Sequence, residues 1–124
     1  MVLIGDTCII KNGNPKRIDN NIVGEYPVYG AGHKILFYTN VFNREGKTCK
    51  ISKFKSNLEN VVSILNEKYF LKETAFTIES RDPNLLSNEY LWNYMKNNSH
   101  LIQYTGTTLL TIDMQHFMNI DIII

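Results

Sequence analysis

Gly24-Glu25-Tyr26-Pro27-Val28-Tyr29-Gly30-Ala31-Gly32-His33-Lys34 is the stretch on which the reading of this chain turns. A short strand pattern, Tyr26 to Tyr29, runs into two glycines separated by one small residue, and a histidine and a lysine follow at once. Glycine lacks a Cβ and adopts positive φ without cost, so Gly30 and Gly32 read as a sharp loop where the backbone comes close to a neighbouring strand or to a ligand. A tight turn between strands explains the stretch by itself, and its surroundings must supply anything more.

Upstream, Val2-Leu3-Ile4 and Thr7-Cys8-Ile9-Ile10 form a β-rich run that ends at Lys11-Asn12-Gly13-Asn14-Pro15-Lys16-Arg17. Asn-Gly and Asn-Pro are strong turn signals, so this is a polar, basic loop, continued by Asp19-Asn20-Asn21 before Ile22-Val23. Downstream, residues 35–38 read as a strand and 43–46 as a turn. Thr48-Cys49-Lys50-Ile51-Ser52-Lys53 alternates like a strand with one wet face, which leaves Lys47 and Lys53 exposed. Lys53-Phe54-Lys55-Ser56-Asn57 is a second basic loop. Residues 61–65, 69–71 and 75–78 read as three further strands, with Asn66-Glu67-Lys68 turning between the first two. Arg81-Asp82-Pro83-Asn84 breaks the pattern, and Ser87 is placed to cap a helix that runs through Leu91, Tyr94 and Met95 to about Asn97-Asn98, with Trp92 in the core. Thr105-Gly106-Thr107-Thr108 follows, then a helical turn over 113–117 and a last strand over 120–123. Many short strands with few helices predict an α+β fold, a twisted and mostly antiparallel β-sheet with short helices.

At 124 residues the chain fits a single domain, 1–124, large enough for a core without staples. Its 44% hydrophobic and 20% charged content excludes a disordered polymer. No basic leader precedes a long apolar run, and aliphatic runs such as Ile122 to Ile124 are far too short to span a bilayer. The expectation is a soluble, intracellular protein, cytoplasmic in a prokaryote, with no membrane partner. Cys8 and Cys49 lie far apart with no Cys-x-x-Cys pair, so buried, reduced thiols are expected rather than a disulfide or a metal site. No cofactor is expected.

Charge is distributed unevenly. Residues 1–55 carry nine cations against four carboxylates, a net of +5, and residues 56–124 carry four against eight, a net of −4. The asymmetry suits a basic face for a polyanion, although solvated surface charge produces the same imbalance.

Lys11-Asn12-Gly13 after an N-terminal strand, the stretch from Gly24 to Gly32, the segment from Pro83-Asn84 through Tyr90-Leu91-Trp92-Asn93-Tyr94-Met95-Lys96, and Thr105-Gly106-Thr107-Thr108 with Ile112 and Met118-Asn119-Ile120 occur in that order. Together these blocks resemble the target recognition domain of the DNA specificity (S) subunit of type I restriction-modification enzymes, over about Leu3 to Ile123. The resemblance implies an α+β module that docks on duplex DNA and reads one half of a split target. A full specificity subunit in that family has two such domains joined by long conserved helices that bind methyltransferase subunits; here the resemblance covers one domain, half of such a subunit without those helices. Lys53-Phe54-Lys55-Ser56-Asn57 stands where the family tends to have a small Gly-Ser loop, and Leu109 where a polar residue commonly follows Gly-Thr-Thr. Both departures imply a shifted or degraded specificity.

Reading DNA takes cations and amides for phosphates and paired donors and acceptors for base edges. Lys11, Lys16, Arg17, Lys34, Lys53 and Lys55 are the phosphate candidates, and Gly30, Gly32 and Gly106 the places of close backbone approach. Thr105, Thr107 and Thr108 offer hydroxyls to phosphates or bases, or else satisfy local backbone groups. Asn12, Asn14, Arg17, His33 and Asn57 are base-edge candidates, Arg17 foremost because a guanidinium binds guanine bidentately. His100 and His116 read as structural. No glycine-rich methyl-donor loop and no carboxylate cluster for a metal-dependent nuclease is legible, so the chain reads as a recognition module and not as an enzyme.

The expected function is therefore sequence-specific binding of double-stranded DNA, non-catalytic by itself. Methyltransferase and restriction subunits are the implied protein partners, and a homodimer is a further open arrangement. The alternative is a protein-interaction module that keeps the fold but docks on such subunits without reading DNA.

Overall fold

The computed structural model describes residues 1–18, 23–56 and 60–124. In chain order its elements are a helical turn α1 (Ile4–Thr7), strands β1 (Cys8–Asn12), β2 (Tyr26–Tyr29), β3 (Phe37–Thr39), β4 (Lys47–Ser52), β5 (Phe54–Lys55), β6 (Val62–Asn66), β7 (Phe70–Leu71) and β8 (Ala75–Ser80), helix α2 (Asn88–Asn97), a 3-10 turn (Ser99–Leu101), strands β9 (Tyr104–Thr105) and β10 (Leu110–Ile112), and helix α3 (Met114–Met118). They form three sheets. The largest is antiparallel, in the order β1-β8-β4-β6; a second runs β3-β2-β7, with β2 and β7 parallel; a third runs β5-β10-β9. The α+β architecture read from the short, alternating segments is the one observed.

Local chemistry sets the helices. Ser87 accepts the Tyr90 N–H at 3.1 Å and Asp113 accepts the His116 N–H at 3.0 Å, so each serves as an N-cap for a donor that the helix leaves unpaired. α2 lays Leu91, Trp92 and Met95 against the large sheet, and the Trp92 indole donates to the Ile78 carbonyl at 2.8 Å. Ile4, Cys8, Cys49, Ile51, Phe76, Ile78, Phe117 and Ile122 complete this core. A smaller cluster of Tyr29, Tyr69, Leu71 and Ala75 binds the second sheet to the first. Both cysteines are free and buried, one in β1 and one in β4, as expected.

Four local readings are corrected. Residues 4–7 form a helical turn inside the expected β-run, because Thr7 N–H and Oγ1 both bond the Leu3 carbonyl. Residues 120–123 form no strand; a single bridge, Leu3 to Asp121, ties them to the N-terminal segment. The second basic loop is partly a strand, since Phe54 and Lys55 form β5 and pair with β10. β4 has no wet face at its centre: Lys50 is 1% exposed, and Lys53 just beyond the strand is half-buried.

Candidate nucleic-acid interface

Register decides where the loops emerge. Asn12 faces Phe76 and Ser52 faces Ala75 across the large sheet, so β1 and β4 finish where β8 begins. The turn at residues 72–74 is the hub of that end. Gly13 donates to the Ala75 carbonyl at 3.0 Å and Asn14 to the Leu71 carbonyl at 2.9 Å, and a Cβ on Gly13 would lie 1.9 Å from the Lys72 carbonyl oxygen. On another side, Lys72 donates to the Tyr29 carbonyl at 3.0 Å, and a Cβ on Gly30 would meet Thr74 Oγ1 at 2.9 Å. The Lys53 N–H bonds the Thr74 carbonyl at 3.0 Å, and the Ile112 N–H bonds the Lys53 carbonyl at 2.7 Å. Loops distant in sequence thus converge on one end of the sheet.

The glycines work differently from the sequence reading. Among the described residues the positive-φ glycines are Gly46 and Gly106, not Gly30 or Gly32. Gly30 is required for space against Thr74. Gly106, at φ +130°, makes the turn of the Thr-Gly-Thr-Thr block, and a Cβ there would fall 2.2 Å from the Leu109 carbonyl oxygen.

Lys11, Asn12, Asn14, Lys16, Arg17, His33, Lys34, Lys55, Thr105, Gly106, Thr107 and Thr108 are exposed, Gly32 and Lys53 are half-buried, and Gly30 is buried. Asn14 Oδ1 accepts the Lys16 N–H at 2.8 Å, which shapes the first basic loop. Lys55 lies opposite Leu110, and Thr105 opposite Thr111, so β10 brings the second basic loop beside the threonine block. Lys55 Nζ stands 5.8 Å over the Tyr104 ring, whose hydroxyl donates to the Ser52 carbonyl at 2.7 Å; burial raises that hydroxyl's pKa. The hydroxyls of Thr105, Thr107 and Thr108 make no hydrogen bond among the described residues. Asn57, Asp19 to Asn21 and Ile22 lie outside the described residues. His100 is exposed, whereas the ring of His116 is half-buried with a buried Nε2.

Few cations are ion-paired among the described residues. Among the described residues the pairs are Lys47–Glu89 at 2.7 Å and Lys68–Glu45 at 3.9 Å, and both lie beyond the end where β4 starts and β6 finishes. At the loop end Lys11, Lys16, Arg17, Lys34, Lys53 and Lys55 have no such partner among the described residues; Arg81, just past the far end of β8, and Lys96 on α2 have no such pair either.

Two buried cations, which the sequence reading gave no site role, hold these loops. Arg44, 8% exposed, donates from Nε to Thr77 Oγ1 at 2.9 Å, from one terminal nitrogen to the carbonyls of Lys11 (2.8 Å) and Asn12 (3.1 Å), and from the other to the Asn43 carbonyl at 3.1 Å. Burial pushes its pKa down, against the opposing pull of Tyr69 and Glu79. Lys50 crosses from β4 to the glycine loop. Its ammonium donates to the Gly30 carbonyl at 2.7 Å and to the Gly32 carbonyl, with the Ala31 carbonyl 3.5 Å away, while the Ser52 hydroxyl also donates to Ala31. A lysine between Cys49 and Ile51 in an alternating strand looks solvent-facing; a signal for its burial lay only in the two glycines that clear room for it.

Among solved structures the chain is similar to the S subunit of a type I restriction-modification system from M. genitalium, with a TM-score of 0.75 and 19% identity over 95% of this chain. The similarity covers 32% of that subunit, so this chain spans about a third of its length. No family model matches the sequence, and no curated protein matches it. Among the described residues no helix is long and apolar enough to cross a membrane.

Proposed function

We propose that residues 1–124 are one target recognition domain that binds double-stranded DNA in a sequence-specific way and has no catalytic activity of its own. The observation that carries this reading is the gathering of Lys11, Lys16, Arg17, Lys34, Lys53 and Lys55 at the loop end of the sheet without ion-pair partners among the described residues. Surface cations that no internal carboxylate neutralises keep a positive field that suits a polyanion. The fold likeness to an S subunit supports the same reading. Arg17, Asn12, Asn14 and His33 are the proposed base readers, with Gly30, Gly32, Gly106, Thr105, Thr107 and Thr108 supplying backbone and hydroxyl contacts. Methyltransferase and restriction subunits are the proposed protein partners, inside the cell.

Titration of random-sequence and selected duplexes at several salt concentrations tests the proposal. If all six cations engage phosphates, log affinity should fall against log salt with a slope of about −5. Absence of duplex affinity at low salt would overturn it and leave the protein-interaction alternative.

A further inference from the structure

Ser52 ends β4 and is 2% exposed, and each of its polar groups reaches a different segment of the chain. Its N–H donates to the Val61 carbonyl at 3.0 Å, its hydroxyl donates to the Ala31 carbonyl of the glycine loop, and its own carbonyl accepts the Tyr104 hydroxyl at 2.7 Å. Tyr104 opens β9, which runs into Gly106, Thr107 and Thr108. Tyr104, Ser52 and Ala31 thus form a bridge between two groups of candidate DNA contacts. On one side His33 and Lys34 follow Ala31; on the other stand Thr105, Thr107 and Thr108, with Lys55 over the Tyr104 ring. The glycine loop leaves β2 of the second sheet and β9 belongs to the third, so no strand pairing joins them directly. The two classes of DNA contact tolerate a change in their separation unequally. Attraction between a cation and a phosphate reaches over about 8–10 Å at moderate salt, whereas a hydrogen bond to a base edge needs about 2.7–3.2 Å between its heavy atoms.

We propose that Ser52 and Tyr104 are positioning residues for sequence readout: their bridge fixes the distance between the glycine loop and the threonine block, and so sets how well one duplex sequence is told from another while leaving general affinity for duplex in place. The inference deepens the DNA-binding reading and rests on it for the identity of the ligand. Neither residue touches DNA itself. Ser52 is buried, and Tyr104 turns its hydroxyl inward to Ser52. Phosphate contacts position and base contacts specify, so loosening the bridge removes the second before the first.

Affinities of the parent, Tyr104→Phe, Ser52→Ala and the double variant for a selected and a random-sequence duplex, well below the melting temperature, are the first test. Tyr104→Phe keeps the ring beneath Lys55 and removes a hydroxyl alone; Ser52→Ala removes the bond to Ala31. Each should weaken binding of the selected duplex about tenfold, the loss of one base contact. The random-sequence duplex should keep its affinity within about twofold and its salt slope. The double variant should lose little more than either single one, because the same bridge is broken once. Equal losses on both duplexes, the mark of a merely structural role, overturn the inference, as do undiminished binding of the selected duplex and additive losses. Where Ser52→Ala does not fold, Tyr104→Phe decides. The second arm needs no DNA: in 15N-labelled Tyr104→Phe the amide resonances from Ala31 to Lys34 should shift, although the altered hydroxyl belongs to another sheet, and silence there overturns the coupling. A parent without duplex affinity would overturn the DNA-binding reading and the readout role with it, while the amide arm still decides whether the two loops are coupled.

Discussion

Arg44→Met should loosen the basic end of this fold from its root. The guanidinium makes four hydrogen bonds, to Thr77, Asn43, Lys11 and Asn12, and among the described residues it has no carboxylate ion-pair partner. Hydrogen bonds from a charged donor contribute about 1.5–3 kcal/mol each, which would give a gross figure near 6–12 kcal/mol. Desolvating the guanidinium costs several kcal/mol in return. Methionine fills much of the volume but leaves the carbonyls and the Thr77 hydroxyl without their donor, so the net loss should be about 2–4 kcal/mol. With a urea m-value of about 1–3 kcal/mol/M, the denaturation midpoint should fall by about 1–2 M. Arg44→Lys should retain little of the loss-free state, because one ammonium cannot reproduce the planar fork. The bonds run to carbonyls and a hydroxyl, so the difference between parent and variant should persist in high salt. Amide exchange at Gly13 and Asn14 should quicken, since Lys11 and Asn12 are the residues that Arg44 holds. A midpoint shift below about 0.3 M in Arg44→Met, at unchanged m, would refute the account.

Three other outcomes are expected. Trp92→Ala should destabilise by about 3–5 kcal/mol in the same denaturation assay, because the ring is 7% exposed against the large sheet and its removal adds a cavity to lost transfer energy; Trp92→Phe, which loses the bond to Ile78, should cost about 1 kcal/mol of that as hydrogen bonding. Arg17→Ala and Lys34→Ala, both at exposed positions, should leave the melting temperature unchanged while each lowers the salt slope of duplex binding by about 0.9; unaltered affinity in both, read by fluorescence anisotropy, would mean that these cations serve solubility alone. Burial pushes the Cys49 thiol from 9.0 up to about 12, with Lys96 opposing. The folded thiol then stays protonated while the unfolded one ionises, so its contribution is intact below about pH 9 and declines as pH rises toward the folded value, by about 1.4 kcal/mol per unit. Stability of Cys49→Ala should fall less steeply across that window; parallel slopes would contradict the assignment.

Elements governed by neighbours in sequence were legible, and elements governed by distant neighbours were not. Ser87 and Asp113 announce their helices because a cap acts within three residues. Trp92 falls in the core because it lies on the same helical face as Leu91 and Met95. The strands of the two sheets built from β1 to β4 and β6 to β8 were found for the same reason, whereas β5, β9 and β10 were not read as strands; the allotment to three sheets was not legible either, since β2 meets β7 and β1 meets β8 across long stretches of chain. Lys50 illustrates the limit at the site. Strand alternation assigns it to water, whereas a ring of carbonyls contributed by the glycine loop makes its burial tolerable. Arg44 likewise resembles a turn residue until Lys11 and Asn12 are folded beside it. The exposed basic and hydroxyl residues were each visible by type, but their assembly at one end depends on register, which short segments do not encode.

The pairing of β1 with β8 bears on how the chain reaches this state. The first strand of the large sheet pairs with a strand more than sixty residues later, at Ala75–Ser80, and the bridge from Leu3 to Asp121 joins still more distant segments. Non-local pairing of this kind must overcome loop closure before any contact repays it, and places folding in the regime of milliseconds to seconds. During synthesis the loop from Lys11 to Arg17 therefore leaves the ribosome long before the strand that anchors it. Its final shape, and with it Gly13 seated against Lys72, is a late event of folding, acquired at the same time as the hub on which the other loops close.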